Sequence, residues 1–179
     1  MSEVRVRLAT PDDVPAIVRV CSAGWRDTYA ELHSAEYCED VIARFYTPER
    51  VASEIGPSDS GQGWQWDGWL VSELEGEVMG AGGGGPTGPG TWEVFVLYLD
   101  PEKRRLGAGR ALLDAMTAQA RAHGAHEQWV SVTQDNHKGL PFYGAMGFTV
   151  RETRERHSQN IDEPIRTVRM ARPLSQGNT

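Results

Sequence analysis

A chain of 179 residues, 39% hydrophobic and 24% charged, is long enough for one domain with a real core and has the make-up of a soluble globular protein. Its formal net charge of -7 argues against a nucleic-acid-binding surface and favours approach of cationic substrates wherever acidic groups line a cleft. The opening stretch MSEVRVRLATPDD mixes charged and apolar residues without an uninterrupted apolar run, so neither a secretory signal nor a membrane span is expected and the cytoplasm is the expected compartment.

Val4 to Leu8 alternates with period two and predicts a strand. Thr10 then offers an N-cap, Pro11 a residue suited to a first helical turn, and Asp12 and Asp13 negative charge for the positive helix end. Val14, Ile17, Val18 and Cys21 form the inward stripe of the next helix, with Gly24 as its expected stop before WRDTYAEL. Further helical segments are expected from Ala35 to Tyr46 and after the Thr47, Pro48 start, where Val51 and Ile55 lie one turn apart. Gly56 to Gly63 has the composition of a loop, and WLVSELEGEVMGAGGGG predicts a hairpin turning near Glu75 and Gly76.

Thr91 to Asp100 is rich in β-branched and aromatic residues on both faces, as a strand covered on both sides should be. A helix from Ala108 to His123 turns Leu112, Leu113, Met116 and Ala120 inward and stops at Gly124. Glu127 to Gln134 is another strand, and a short helix starting near Gly139 ends with Gly147 in the left-handed position. FTVRETRE and IRTVRMAR close the chain as two strands. The order predicts one mixed α/β sheet domain over 3–173, with 174–179 as a disordered tail. Cys21 and Cys38 read as buried thiols, and the five histidines show no ligand spacing with them or with each other, so no catalytic metal is expected.

Three phosphate-binding patterns compete for the glycines. No glycine pair is followed by the Lys and Ser or Thr of a P-loop. Gly80 to Gly85 matches the dinucleotide pattern G-x-G-x-x-G formally, but Pro86, Gly88 and Pro89 stand where that motif needs a helix, which leaves a flexible connection between strands. The third pattern is the run Arg104, Arg105, Leu106, Gly107, Ala108, Gly109, Arg110, a basic loop that passes directly into a helix. Amides at a helix start have no internal acceptors, and glycines let an anionic ligand approach them closely.

R-x-x-G-x-G at Arg104, Gly107 and Gly109, LYLDP before it, and N-x-x-G-x-x-F-Y-x-x-x-G-F from Asn136 to Phe148 together resemble the acetyl-CoA signature of the GNAT acetyltransferase superfamily. The order of these motifs agrees with that family over Val4 to Arg172. The resemblance implies a mostly antiparallel central sheet of about seven strands flanked by helices on both faces, and acetyl-CoA as cosubstrate. It places the cofactor diphosphate against the amides of Arg105 to Arg110, with arginine side chains near the phosphates, and the pantetheine arm along the backbone of Leu97, Tyr98 and Leu99. Asn136 becomes a contact to the cofactor, although a cap or turn role is equally sound.

Tyr143 matches the family's tyrosine, a proton donor to the departing thiolate; its alternative is core packing beside Phe142 and Met146. Glu93 precedes Arg104 by eleven positions (104 − 93 = 11), the spacing at which many family members place a glutamate. An amine near its lysine-like pKa of about 10.4 is mostly protonated at neutral pH, so a base or water relay is needed, and a partly desolvated carboxylate beside Phe95 and Leu97 would serve. Its alternative is a solvated or arginine-paired carboxylate. Trp25 and Tyr29, one helical turn apart, would wall an acceptor pocket or simply fill the core, and Trp64, Trp66 and Trp69 fit a lid, a dimer contact or packing equally. The resemblance implies an N-acetyltransferase that acts on a small cationic amine, such as a polyamine or an aminoglycoside-like molecule, by direct attack in a ternary complex. A peptide N-terminus or lysine side chain stays open as acceptor, a homodimer is left open, and a non-catalytic acyl-CoA sensor is the alternative class.

Overall fold

The period-two segments become strands of one seven-stranded sheet in the computed structural model, which describes residues 3–157 and 164–175. The elements are β1 (Arg5–Leu8), α1 (Val14–Tyr29), α2 (Ala35–Phe45), α3 (Pro48–Ser53), β2 (Ser58–Asp59), β3 (Gln65–Trp66), β4 (Leu70–Leu74) and β5 (Glu77–Gly88). They continue with β6 (Thr91–Leu99), α4 (Ala108–Ala122), β7 (Glu127–Thr133), α5 (Gly139–Ala145), β8 (Thr149–His157) and β9 (Pro164–Pro173). The sheet order is β1-β4-β5-β6-β7-β9-β8, with β6 and β7 its parallel pair and the other neighbours antiparallel; β2 and β3 form a separate small ribbon.

The layers follow from the apolar stripes. Leu112, Leu113, Met116 and Ala120 of α4 are fully buried against one face, where Trp92, Val94 and Val130 come up from the strands. Ile17, Val20 and Cys21 of α1 and Val51 of α3 cover the other, against Trp69, Val71 and Ala81. Val20 is fully enclosed where Val18 had been expected, and Val18 is only half-buried. Cys21 and Cys38 are both buried free thiols. Among the described residues no helix is long and apolar enough to cross a membrane.

Three expectations are corrected. α1 does not stop at Gly24 but runs on to Tyr29. Gly24 is buried where α1 crosses β6, and a Cβ there would lie 3.0 Å from Tyr98 Cβ, so this glycine serves close packing. Gly80 to Gly85 is no flexible connection: it is the buried middle of β5. A Cβ at Gly84 would overlap the Glu93 carbonyl oxygen and fall 2.7 Å from Trp92 Cη2, and one at Gly83 would overlap Trp66 Cη2, so large indoles occupy the space that side chains would take. Leu174 is also part of the fold, 6% exposed with its N–H donating to His126 O at 2.8 Å; the rest of the expected tail from Gln176 on lies outside the described residues.

Candidate active site

β6 parts from its neighbours in two places. Against β5 the register passes from Gly84↔Val94 to Gly83↔Val96, which leaves Phe95 as a bulge without a partner. The bulge resets the alternation: Trp92 and Val94 join the α4-side core before it, and Leu97 and Leu99 join that core after it. Against β7 the parallel ladder ends at Val94↔Val130, while β7 goes on pairing with β9 as far as Thr133↔Thr167. From Phe95 to Leu99 the β7 side of β6 has no strand, and the N–H and C=O groups aimed that way need another partner.

A cleft of about 420 Å³ opens along this gap. Of the residues expected to bind cofactor, Leu97, Tyr98 and Leu99 line it from β6, Arg104, Arg105 and Gly109 from the start of α4, and Asn136 from the loop before α5. Leu106 and Gly107 are exposed beside it, Ala108 is buried beneath the loop, and Arg110 points to solvent. The turn into α4 is made by two residues in the left-handed region, Arg105 at φ 66 and Gly107 at φ 83. The N–H of Ala111 donates to Gly107 O at 3.0 Å, so the amides of Ala108, Gly109 and Arg110 precede the first helical turn's acceptor. A Cβ at Gly107 would meet nothing within 4 Å, which leaves room above those amides. Arg104 donates from Nη2 to Asp27 Oδ2 at 2.6 Å, while its buried Nε lacks a partner. Lys138 Nζ pairs with the same Asp27 carboxylate, which joins α1 to the loops before α4 and α5. A diphosphate fits this donor set: free amides at the start of a 15-residue helix, two cations, and an unfilled guanidinium donor.

Tyr143 lines the same cleft, 7% exposed, with its ring edge-on to Phe142 at 5.0 Å and Phe148 at 5.3 Å. It therefore packs in the core and also reaches the cavity. Burial pushes its phenol well up from the ordinary tyrosine value, so it stays a proton donor at neutral pH. Asn136 Oδ1 accepts from Lys138 N at 3.1 Å and Gly139 N at 2.8 Å, the turn role weighed for it, and holds the first turn of α5 in place. Tyr29 lines the cleft, its hydroxyl 3.5 Å from Thr133 Oγ1. Trp25 packs behind it, 4.0 Å between ring centroids with the planes tilted by 39°, without lining either cavity.

Glu93 does not line this cleft, although Ser131, which does, donates to its carboxylate. The bulge at Phe95 puts Glu93 on the opposite face from Leu97, contrary to the shared face expected from simple alternation. Its carboxylate accepts from Arg169 Nη1 at 2.6 Å, from Arg169 Nη2 at 3.4 Å and from Ser131 Oγ at 3.4 Å. It lines a second cavity, of about 500 Å³, which shares Tyr46, Phe95 and Val96 with the first. This cavity also takes in Glu54, Trp64 and Trp66, drawn from the end of α3 and the β2–β3 ribbon. Sequence reading assigned no role to Glu54 and left the tryptophans unranked, because no local spacing links residues that only the fold assembles. Among the described residues no group of three or more His, Cys, Asp or Glu side chains gathers as a metal site.

Comparison with known proteins bears on the same segments. The acetyltransferase (GNAT) family model matches residues 32–148. Spermidine N(1)-acetyltransferase of Thermoplasma acidophilum is 27% identical over 155 residues, 84% of this chain and 91% of that protein. The ribosomal protein bS18-alanine N-acetyltransferase of Escherichia coli is 28% identical over 82 residues, 46% of this chain and 55% of that protein. In fold, the crystal structure of the PaiA N-acetyltransferase of Thermoplasma acidophilum in complex with coenzyme A superposes with a TM-score of 0.77 at 21% identity, over 96% of this chain and 99% of that one. The seven-stranded mixed sheet, the gap beside the bulged strand and the family match agree: the chain belongs to the GNAT family of acetyltransferases, which use acetyl-CoA.

Proposed function

We propose that residues 3–173 form one N-acetyltransferase domain that moves an acetyl group from acetyl-CoA to the primary amine of a small cationic molecule, by direct attack in a ternary complex. The observation that carries this is the junction of two cavities at Phe95 and Val96, one with the diphosphate donor set and one with carboxylates. The likeness to a spermidine acetyltransferase supports a small amine as acceptor.

When bound, acetyl-CoA supplies an activated thioester. The amides of Arg105 to Arg110, with Arg104, hold its diphosphate, and the free edge of Leu97, Tyr98 and Leu99 takes the pantetheine arm. Asn136 keeps α5 seated beside that arm, its amide nitrogen available to it. The hydroxyl of Tyr143 delivers its proton to the departing sulfur. A protonated amine has no lone pair to attack with, so the Glu93 carboxylate, fixed by Arg169, draws off the ammonium proton directly or through one water. Tyr29, on the cofactor side of the junction, bounds the space where the amine meets the thioester, and Trp25 packs behind it.

Thiol release from acetyl-CoA over an amine panel tests the reading. Turnover on at least one primary amine is expected; cofactor binding with no turnover on any acceptor would favour a sensor. Tyr143→Phe is expected to lower kcat by about 100-fold or more with CoA affinity preserved. An unchanged kcat would remove the phenol from the reaction.

A further inference from the structure

The second cavity has a chemistry of its own, and an acceptor role for it rests on the transferase reading. Its walls are aromatic: Trp64 stands edge-on to Phe95 at 5.5 Å, and Trp66 stacks on Phe95 at 6.4 Å with 27° between the planes. Trp64 is 42% exposed and Phe95 40%. The two rings touch edge-on and form one wall of the cavity, and an exposed aromatic patch of this kind is costly unless something covers it.

Two carboxylates enter the same space. Glu93 is held by Arg169 and Ser131. Glu54 is paired with Arg50 across a long 3.7 Å, and Arg50 is itself half-exposed and laid over the Phe45 ring at 4.8 Å. Burial pushes the Glu54 carboxyl above the usual range, so its ionised form is short of solvation and gains from a new cation. Two carboxylates are thus matched by two guanidinium groups. Arg50 can swing into water and release Glu54 to one ammonium ion, but among the described residues no uncommitted carboxylate lines the cavity for a second.

We infer that this cavity is the acceptor site and that it takes a primary monoamine with a flat apolar body, the ammonium between Glu54 and Glu93 and the ring against Trp64 and Phe95. A polyamine would bring charges that the cavity does not match and would leave the aromatic wall uncovered. Glu54 acts as a binding group, and the proton still leaves toward Glu93. The difference between the two carboxylates is therefore kinetic: Glu54→Gln removes attraction felt equally before and during reaction.

The test is thiol release from acetyl-CoA by the purified protein with 2-phenylethylamine, spermidine and a short peptide bearing a free N-terminus. 2-Phenylethylamine is expected to exceed spermidine at least tenfold in kcat/KM. Trp64→Ala is expected to raise KM for 2-phenylethylamine roughly tenfold, the scale of one aromatic contact, with Trp64→Phe restoring most of it. Glu54→Gln is expected to raise KM with kcat within about twofold. A preference for spermidine or the peptide, or a Trp64→Ala variant with unchanged KM, would overturn the monoamine site while leaving the transferase intact. Absence of thiol release with every amine would overturn the transferase reading, and this site with it.

Discussion

The cleft on the α4 side of β6 is built from backbone, and the cavity on the α3 side is built from side chains. The first needs a strand edge, a helix start and two left-handed residues, all within 95–110, plus a facing wall from α5. The second needs Glu54 from the end of α3, Trp64 from a two-strand ribbon and Phe95 from a bulge, which nothing but the tertiary fold brings together. A backbone site tolerates changes of side chain and suits a cosubstrate common to a family. A side-chain site can be redrawn residue by residue, as a variable acceptor requires.

The change that breaks both at once lies in the strand they share as support. Gly84→Ala puts a Cβ into the Glu93 carbonyl and Trp92 ring, so β5 and β6 must separate at the bulge. A loss of about 3 kcal/mol is expected from such overpacking, read by thermal unfolding, with both CoA and amine binding weakened. Gly107→Val should divide the two regions. Its Cβ meets no neighbour, but a β-branched residue at φ 83 costs about 1–2 kcal/mol, so CoA binding by calorimetry should weaken roughly 5- to 30-fold. Smaller still is Leu97→Met, a volume-conserving change on the cofactor strand whose recognition lies in the backbone; CoA affinity within about twofold of the parent is the expected result.

The same division explains what could be read in advance. The strand over 91–100, the R-x-x-G-x-G junction, α4 with its Gly124 stop and the short helix before Gly147 are local patterns, and the structure has each where the sequence puts it. The turn at Glu75 and Gly76 was equally local, and both residues have positive φ. Gly24 and the β5 glycines misled because a glycine that ends an element and one that admits a neighbouring ring look alike in sequence. The bulge at Phe95 is a property of pairing between strands, so the face of Glu93 could not be counted from its position. Glu54 carried no motif, and its importance comes from half-burial and a long ion pair that only the folded chain displays.

Two carboxylates sharpen the comparison through stability alone. Asp13 belongs to neither cavity: it accepts from Arg7 at 2.7 and 2.9 Å and from the Thr10 N–H at 2.8 Å, and the Arg7 hydrogen bonds hold its carboxyl below the usual range. A lowered folded value means stability that is present at neutral pH and lost as pH falls through that value, so Asp13→Asn should lower Tm at pH 7 and cost progressively less in acid. Glu54 has the opposite sign. Its folded value is raised above the ordinary 4.5 by burial, so the folded state binds the proton more tightly and loses stability as pH rises past 4.5. Glu54→Gln should therefore raise Tm by a few degrees at pH 7, with the gain shrinking toward zero below about pH 4.5. Melting curves across that range decide it: a Gln variant less stable than the parent at pH 7 would make Glu54 a structural partner of Arg50, whereas a more stable one marks a carboxylate kept ionised against the interest of the fold, which is what a cation-binding site requires.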